Sequence, residues 1–185
     1  MSNFNFLKQD WSSLYQKMLK AEERVHTEPV STSLSCRLVL EECIHLLFTL
    51  EHLEKPYNTE LNSLMTDEEI KRVIPYQLRD GLHIVRKTGN NAAHYGKRVT
   101  NKDALISIRY IYSFLKWFAE AYSERIPDIP GSFDDSFIPK VGQKQRQLRE
   151  LQSEQEKAHE ALLEQVKKLQ AEKDAILEKA QESEE

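Results

Sequence analysis

Arg86-Lys87-Thr88-Gly89-Asn90-Asn91-Ala92-Ala93-His94 is the stretch whose reading decides the fold. It lies between two segments with strong helical patterning. Gly89-Asn90 reads as a helix stop, because glycine takes up the left-handed conformation after a C-cap without penalty and asparagine is next best there. The same pair reads as a helix start, since Asn90 or Asn91 can accept a hydrogen bond from a free N–H of a new first turn. The expectation is a break at Gly89 that gathers Arg86, two asparagines and His94 around one helix junction, as a polar clasp or as a site.

Outward from the junction the pattern is helical in both directions. Residues 76–87 carry Leu78, Leu82 and Val85 on one side. Further upstream, Asp10 is an expected N-cap for a first helix whose face is Trp11, Leu14, Tyr15, Met18 and Val25, and Pro29 is expected to end it. Ser31 to Ser33 offer caps for a second helix running to about Leu53, apolar over a wide arc as in the centre of a bundle. Lys55-Pro56-Tyr57-Asn58 reads as a turn. Short helices follow near residues 60–65 and 67–73, the latter stopping before Pro75. Phe4, Phe6 and Leu7 form an aromatic lead-in expected to pack down on the domain. Downstream, a polar connection over 95–101 precedes a last core helix over about 102–124, with Leu105, Ile108, Ile111, Tyr112, Leu115, Phe118, Ala119 and Tyr122 as its stripe. No segment alternates with period two, so no sheet is expected. The fold class is all-α: a helical bundle, then a Pro-rich linker and a long coiled-coil-like C-terminal helix.

The domain organisation follows from composition. Residues 1–125 form the bundle domain. Residues 126–142 hold Pro127, Pro130, Gly131, Pro139 and Gly142, a linker expected to be extended and pinned by Phe133, Phe137 and Ile138. Residues 143–185 are rich in Gln, Glu, Lys and Leu. Leu148, Gln155, Leu162, Leu169 and Ile176 recur every seven positions, and the shift of the companion position to Val166 reads as a stutter. Gln155 in that seam makes any self-association weak. From Lys140 onward there are 9 Lys and Arg, 11 Asp and Glu and no aromatic residue, which leaves 17 basic and 19 acidic residues before it. Each part carries a small negative excess, so nucleic-acid contact would have to be a local patch. The uncapped Ser-Glu-Glu ending suggests a fragment cut inside a longer coil.

Cys36 and Cys43 would stand roughly 10 Å apart on one helix, too far for a disulfide, and read as small buried hydrophobes in a reducing compartment. No apolar run reaches the ~18–20 residues of a membrane span and no signal core is present, so a cytoplasmic protein without membrane association is expected.

The motifs of common chemistries are missing. His45 and His52 lack metal-ligand spacing, the cysteines do not form CxxC, and no metal site is expected. Neither GxGxxG nor GxxxxGK[ST] occurs among five glycines, so no nucleotide cofactor is expected either. Glu41-Glu42 could serve acid–base work, but a solvated edge or a structural pairing with Arg37 or Arg86 is the favoured reading. Arg86, Lys87, Lys97, Arg98 and Lys102 fall within seventeen positions, interleaved by Tyr95, with a helix N-terminus nearby. Lys87, Lys97, Arg98 and Lys102 are thus the candidate nucleic-acid contacts, with a normally charged loop as the equal alternative. Arg86, Asn90 and His94 are the candidate catalytic residues. His94 could act as a general base toward a ribose 2′-hydroxyl, with Arg86 stabilising the phosphorane charge. The structural alternative, in which Asn90 and His94 tie the Gly89 break to neighbouring helices, is the favoured one.

Arg86, Gly89, Asn90, Ala92 and His94 give the pattern Arg-x-x-Gly-Asn-x-Ala-x-His, which resembles the N-terminal helical domain of the R (motor) subunits of type I restriction enzymes. The opening Ser2-Asn3-Phe4-Asn5-Phe6-Leu7 is similar to the start of those subunits. So is the order of helical domain, linker with Ile126-Pro127 and Ile138-Pro139, and charged coil. The resemblance implies an amino-terminal, non-catalytic interaction and DNA-proximal module, serving restriction of foreign DNA inside a larger complex. Its implied partners are methyltransferase and specificity subunits and, weakly, DNA. The full-length subunit it resembles is an ATP-dependent type I site-specific deoxyribonuclease with nuclease and helicase parts. ATP and Mg²⁺ are expected only for those downstream domains, whose motifs do not occur here.

The domain also looks like the HEPN group of helical domains, many of them ribonucleases. Their motif is Arg, four to six residues, then His; here seven residues separate Arg86 from His94, and Lys87 stands where a polar residue follows Arg. The alternative function this resemblance implies is a metal-independent ribonuclease or toxin-type domain using Arg86 and His94.

Overall fold

A computed structural model of the chain describes residues 2–94 and 98–140, and beyond them only Glu154, Gln155, His159, Ala161, Leu162, Glu164 and Gln165, each helical. The coil expected over 143–185 otherwise lies outside the described residues. Residues up to Val141 make one compact unit and Gly142–Glu185 a second. Among the described residues all regular structure is helical.

Six α-helices build the first unit: α1 (Ser12–Arg24), α2 (Pro29–Leu50), α3 (Leu61–Thr66), α4 (Glu68–Val73), α5 (Tyr76–Ala93) and α6 (Asn101–Tyr122). Helix α2 is the centre, packing against α1, α5 and α6, and α5 packs on α6 as well. Its apolar arc explains this: Cys36, Val39, Leu40, Cys43, Ile44, Leu47 and Phe48 are all buried. Leu14, Met18 and Val25 meet it from the α1 side, and Ile108, Ile111, Leu115 and Phe118 from α6. The cysteines are free and buried, and burial pushes the Cys36 thiol up to about 12.

Three boundaries differ from the sequence expectation. The residue before α1 is Trp11, not Asp10, and no side chain caps that helix; Trp11 instead packs edge-on to Phe118 and donates its indole N–H to Ser123. Pro29 opens α2, where its missing N–H costs nothing. Thr32 and Ser33 are therefore buried within the helix, and Thr32 donates its hydroxyl to the Ala21 carbonyl of α1. The C-terminus of α2 is a Schellman turn: His52 has φ 55°, its N–H reaches the Thr49 carbonyl, and the Leu53 N–H reaches Phe48. Two helix starts are capped as the chemistry favours, α4 by the Asp67 carboxylate and α6 by a capping box between Thr100 and Asp103.

The segment after α6 is held against the bundle. Ile138 is buried, Phe133 packs against Phe4 and Tyr112, and Phe137 is half-buried. A single 3₁₀ turn, Asp135–Phe137, interrupts it. The lead-in does pack down: Phe4, Phe6 and Leu7 are buried, with Phe4 and Phe6 edge-on to Tyr112. Asn3 ties both ends together, donating from its side chain to the Asp134 carbonyl and accepting from the Asp134 N–H.

Glu22 is the one buried carboxylate in this arrangement among the described residues, and it accepts from the Asn3 backbone and side-chain amides. Burial raises its pKa, and hydrogen bonds from Ser2 and Asn3 offset this only in part. A carboxyl whose folded pKa is raised contributes stability that is present below the unfolded pKa and lost as pH rises through the folded one. Glu22→Gln is therefore expected to gain stability relative to the parent between pH 4 and pH 7 (about the range of carboxylate titration). Asp103 and Asp134, whose pKa values are lowered, remain in both proteins and cancel in the difference. Thermal midpoints of both proteins across that range check it, and a difference that stays flat or moves the other way contradicts it.

Candidate functional site

Helix α5 does not break at Gly89. It runs unbroken from Tyr76 to Ala93, and the His94 N–H closes the last turn on the Asn90 carbonyl at 3.2 Å. The reason is tertiary. Gly89 is buried against α2, where a Cβ would stand 2.3 Å from Arg37 Cβ and 2.8 Å from Arg37 Cδ. The glycine marks a close approach of two helices, not a left-handed turn. His94 and Asn90 accordingly clasp no bend, and neither side chain makes a hydrogen bond among the described residues. His94 itself is exposed.

The unbroken helix has a geometric consequence. Residues four apart share a face, so Arg86 and Asn90 line up with His94 at the end of the same row. These three, with Arg37 and Glu41 of α2 and Glu60, Leu61 and Asn62 at the start of α3, line one cavity of about 370 Å³. Arg37 pairs with Glu41 at 3.4 Å across one turn of α2. Glu42 turns the other way and pairs with Lys17 of α1. The structural reading of the two glutamates therefore describes them, with Arg37 and not Arg86 as the partner of Glu41. Arg86 is half-buried and makes no ion pair among the described residues. Its positive charge and that of Lys87, after burial, hold the His83 imidazole below its usual range.

The candidate phosphate contacts lie apart from this cavity's lining. Lys87, Arg98 and Lys102 are exposed and make no ion pair among the described residues; Lys97, with Tyr95, lies outside the described residues. The N-terminus of α6, considered as an anion site, is already complemented. Asp103 accepts from the Thr100 N–H and hydroxyl at 2.9 and 2.7 Å, and these bonds hold its carboxyl below the usual range. Among the described residues no group of three or more His, Cys, Asp or Glu could hold a metal ion, and no helix is long and apolar enough to cross a membrane.

Sequence reading missed Arg37, Glu60, Leu61 and Asn62 as cavity residues. For Arg37 a signal exists: it is a cation set among the buried residues of the most apolar helix. Its convergence with Arg86 depends on the glycine contact, which no local pattern announces.

Gly89→Ala tests that contact. Alanine would recover about 0.5–1 kcal/mol of helix propensity but overpack a tight site, which costs about 1–3 kcal/mol, so a net loss of about 1–2 kcal/mol is expected. Denaturant unfolding with an unchanged m-value measures it. A neutral or stabilising substitution would mean that α2 and α5 are not in contact there.

Comparison with known proteins places this site within a recognised domain. No curated protein and no solved structure matches the chain. A family model described as "Domain of unknown function (DUF4145)" matches residues 20–127, a span that holds α2 to α6 and every residue lining the cavity, and the chain belongs to that family.

Proposed function

We propose that this chain is a non-catalytic, DNA-proximal module at the amino-terminal end of an R-subunit-like protein of type I restriction. The bundle docks onto methyltransferase and specificity subunits, residues 126–142 act as the Pro-rich linker, and residues 143–185 form a coil that spaces the module from a nuclease and motor. The observation that carries the DNA-proximal part is the exposure of Lys87, Arg98 and Lys102 without carboxylate partners among the described residues. Unpaired surface cations release counterions when they meet phosphates, which gives affinity without sequence preference. The resemblance of Arg86, Gly89, Asn90, Ala92 and His94 to the R-subunit pattern supports the restriction context.

Alanine at Lys87, Arg98 and Lys102 together is expected to weaken duplex DNA binding by about tenfold or more at low salt. The slope of log K against log salt should fall by about 0.9 for each phosphate contact removed. A salt titration of parent and variant gives both quantities. Unchanged affinity and slope would remove the DNA-contact part of the reading.

A second reading is a metal-independent ribonuclease of the HEPN kind, and one observation favours it: Arg86 and His94 line the same cavity. In that reading His94 is the general base and Arg86 stabilises the charge that develops on the phosphate. Cleavage of single-stranded RNA in EDTA, lost in His94→Ala, is the expected result. RNA left intact by the parent, or cut equally by the variant, excludes it.

A further inference from the structure

The α2–α5 cavity, which the ribonuclease reading uses through Arg86 and His94, holds a second arginine, Arg37, that neither reading above uses. Arg37 and Arg86 both line it, and the Nε of each is buried with no hydrogen-bond acceptor among the described residues. A buried N–H without an acceptor is unfavourable, more so on a charged group, and an ion bound in the functional state is one of its recognised explanations. Glu41 takes up one Nη of Arg37, whereas Arg86 has no carboxylate at all among the described residues. Two cations are thus gathered in one cavity with a single ion pair between them and the wall.

We infer that this cavity is an oxyanion site, with Arg37 and Arg86 forming a two-sided clamp for a phosphate group. Arginine presents Nε–H and Nη–H side by side, a fork that matches two oxygens of a phosphate. The Asn90 amide and the His94 ring, on the same row of α5, add donors at the rim. Gly89 is the seat of the clamp: only without a Cβ can the stem of Arg37 lie against α5 one turn beyond Arg86. Glu41 sets a threshold, since an anion must displace its carboxylate from Arg37, and Glu60 in the wall adds repulsion. A multiply charged phosphate meets that threshold better than chloride does. Free phosphate and a nucleic-acid phosphate share this chemistry, and the inference depends neither on cleavage nor on Lys87, Arg98 and Lys102.

The test is a titration of the full chain with inorganic phosphate, at ionic strength held constant with sodium chloride, read by the unfolding midpoint. A saturable rise is expected. Arg86→Lys and Arg37→Lys, which keep the charge but lose the fork, should each weaken the apparent affinity by about tenfold or more. Glu41→Gln should strengthen it severalfold by removing the competing carboxylate. Alanine at Lys87, Arg98 and Lys102 should leave it unchanged, so failure of the DNA reading and failure of this one are distinguishable. If Arg37→Lys does not fold, Arg86→Lys and Glu41→Gln still decide. Competition by a short oligonucleotide only when 5′-phosphorylated assigns the site to terminal phosphates, and competition by both forms to the backbone. A midpoint indifferent to phosphate, or a response kept in Arg86→Lys, overturns the inference.

Discussion

The approach of the Arg37 stem to the backbone of Gly89 is the constraint on which the rest of this bundle depends. Two helices carrying ordinary side chains pack with axes 8–10 Å apart (about that range in general), and a glycine at the contact brings them closer. Helix α5 carries a second such contact on its other neighbour, where a Cβ at Gly81 would stand 2.4 Å from the Tyr110 ring of α6. Each glycine costs about 0.5–1 kcal/mol in a helix interior relative to alanine. That cost is offset by dispersion contacts along α2 and α6, which individually are small and collectively large. Helix α5 is therefore positioned by absence of side chain at two points as well as by the burial of Leu82 and Val85.

The same constraint explains what was legible in the sequence. The stripes of Leu14, Met18 and Val25, of Ile108, Ile111, Leu115 and Phe118, and the lead-in Phe4, Phe6 and Leu7 are buried as their spacing says, because burial of apolar area is the main driving force of folding and follows helical period directly. The short helices before Pro75 were legible for a local reason, the restriction proline places on the residue before it. Gly89-Asn90 misled because local and tertiary rules assign glycine opposite roles. Locally it stops a helix, whereas in a packed interface it admits a neighbour. Helix continuation also pairs the His94 N–H with Asn90, a bond that a break would forfeit. Nothing in the nine residues from Arg86 to His94 distinguishes the two cases, since the deciding partner is Arg37.

Charge placement shows a comparable division. Glu42 bridges to Lys17, Asp135 to Arg109 and Glu51 to the Tyr122 hydroxyl, each joining elements distant in the chain. Arg79 caps the end of α4 through the Ile74 and Lys71 carbonyls while lying over the Tyr76 ring. These partly exposed pairs contribute little stability individually, but they specify which element meets which. Against that background Arg86 stands apart, half-buried yet without an ion pair among the described residues. A long, half-buried cation could have been given a carboxylate at low cost by α2, which offers Glu41, and Glu41 is bonded to Arg37 instead.

A site assembled in this way is hard to see in sequence and easy to lose by substitution. Its charged groups come from α2 and α5, its rim from the start of α3, and its geometry from a residue with no side chain. Composition points away from it, since a chain of net charge −4 advertises no anion site. Average charge is the wrong quantity here, because the field in a cavity is set by the few groups within about 10 Å. Arg37 and Arg86 share that space with Glu41 and Glu60, but Glu41 is bonded to Arg37 and leaves Arg86 without an ion pair among the described residues. Arg86 supplies a donor fork, Gly89 seats its partner, and Asn90 and His94 follow on the same face because the helix does not break.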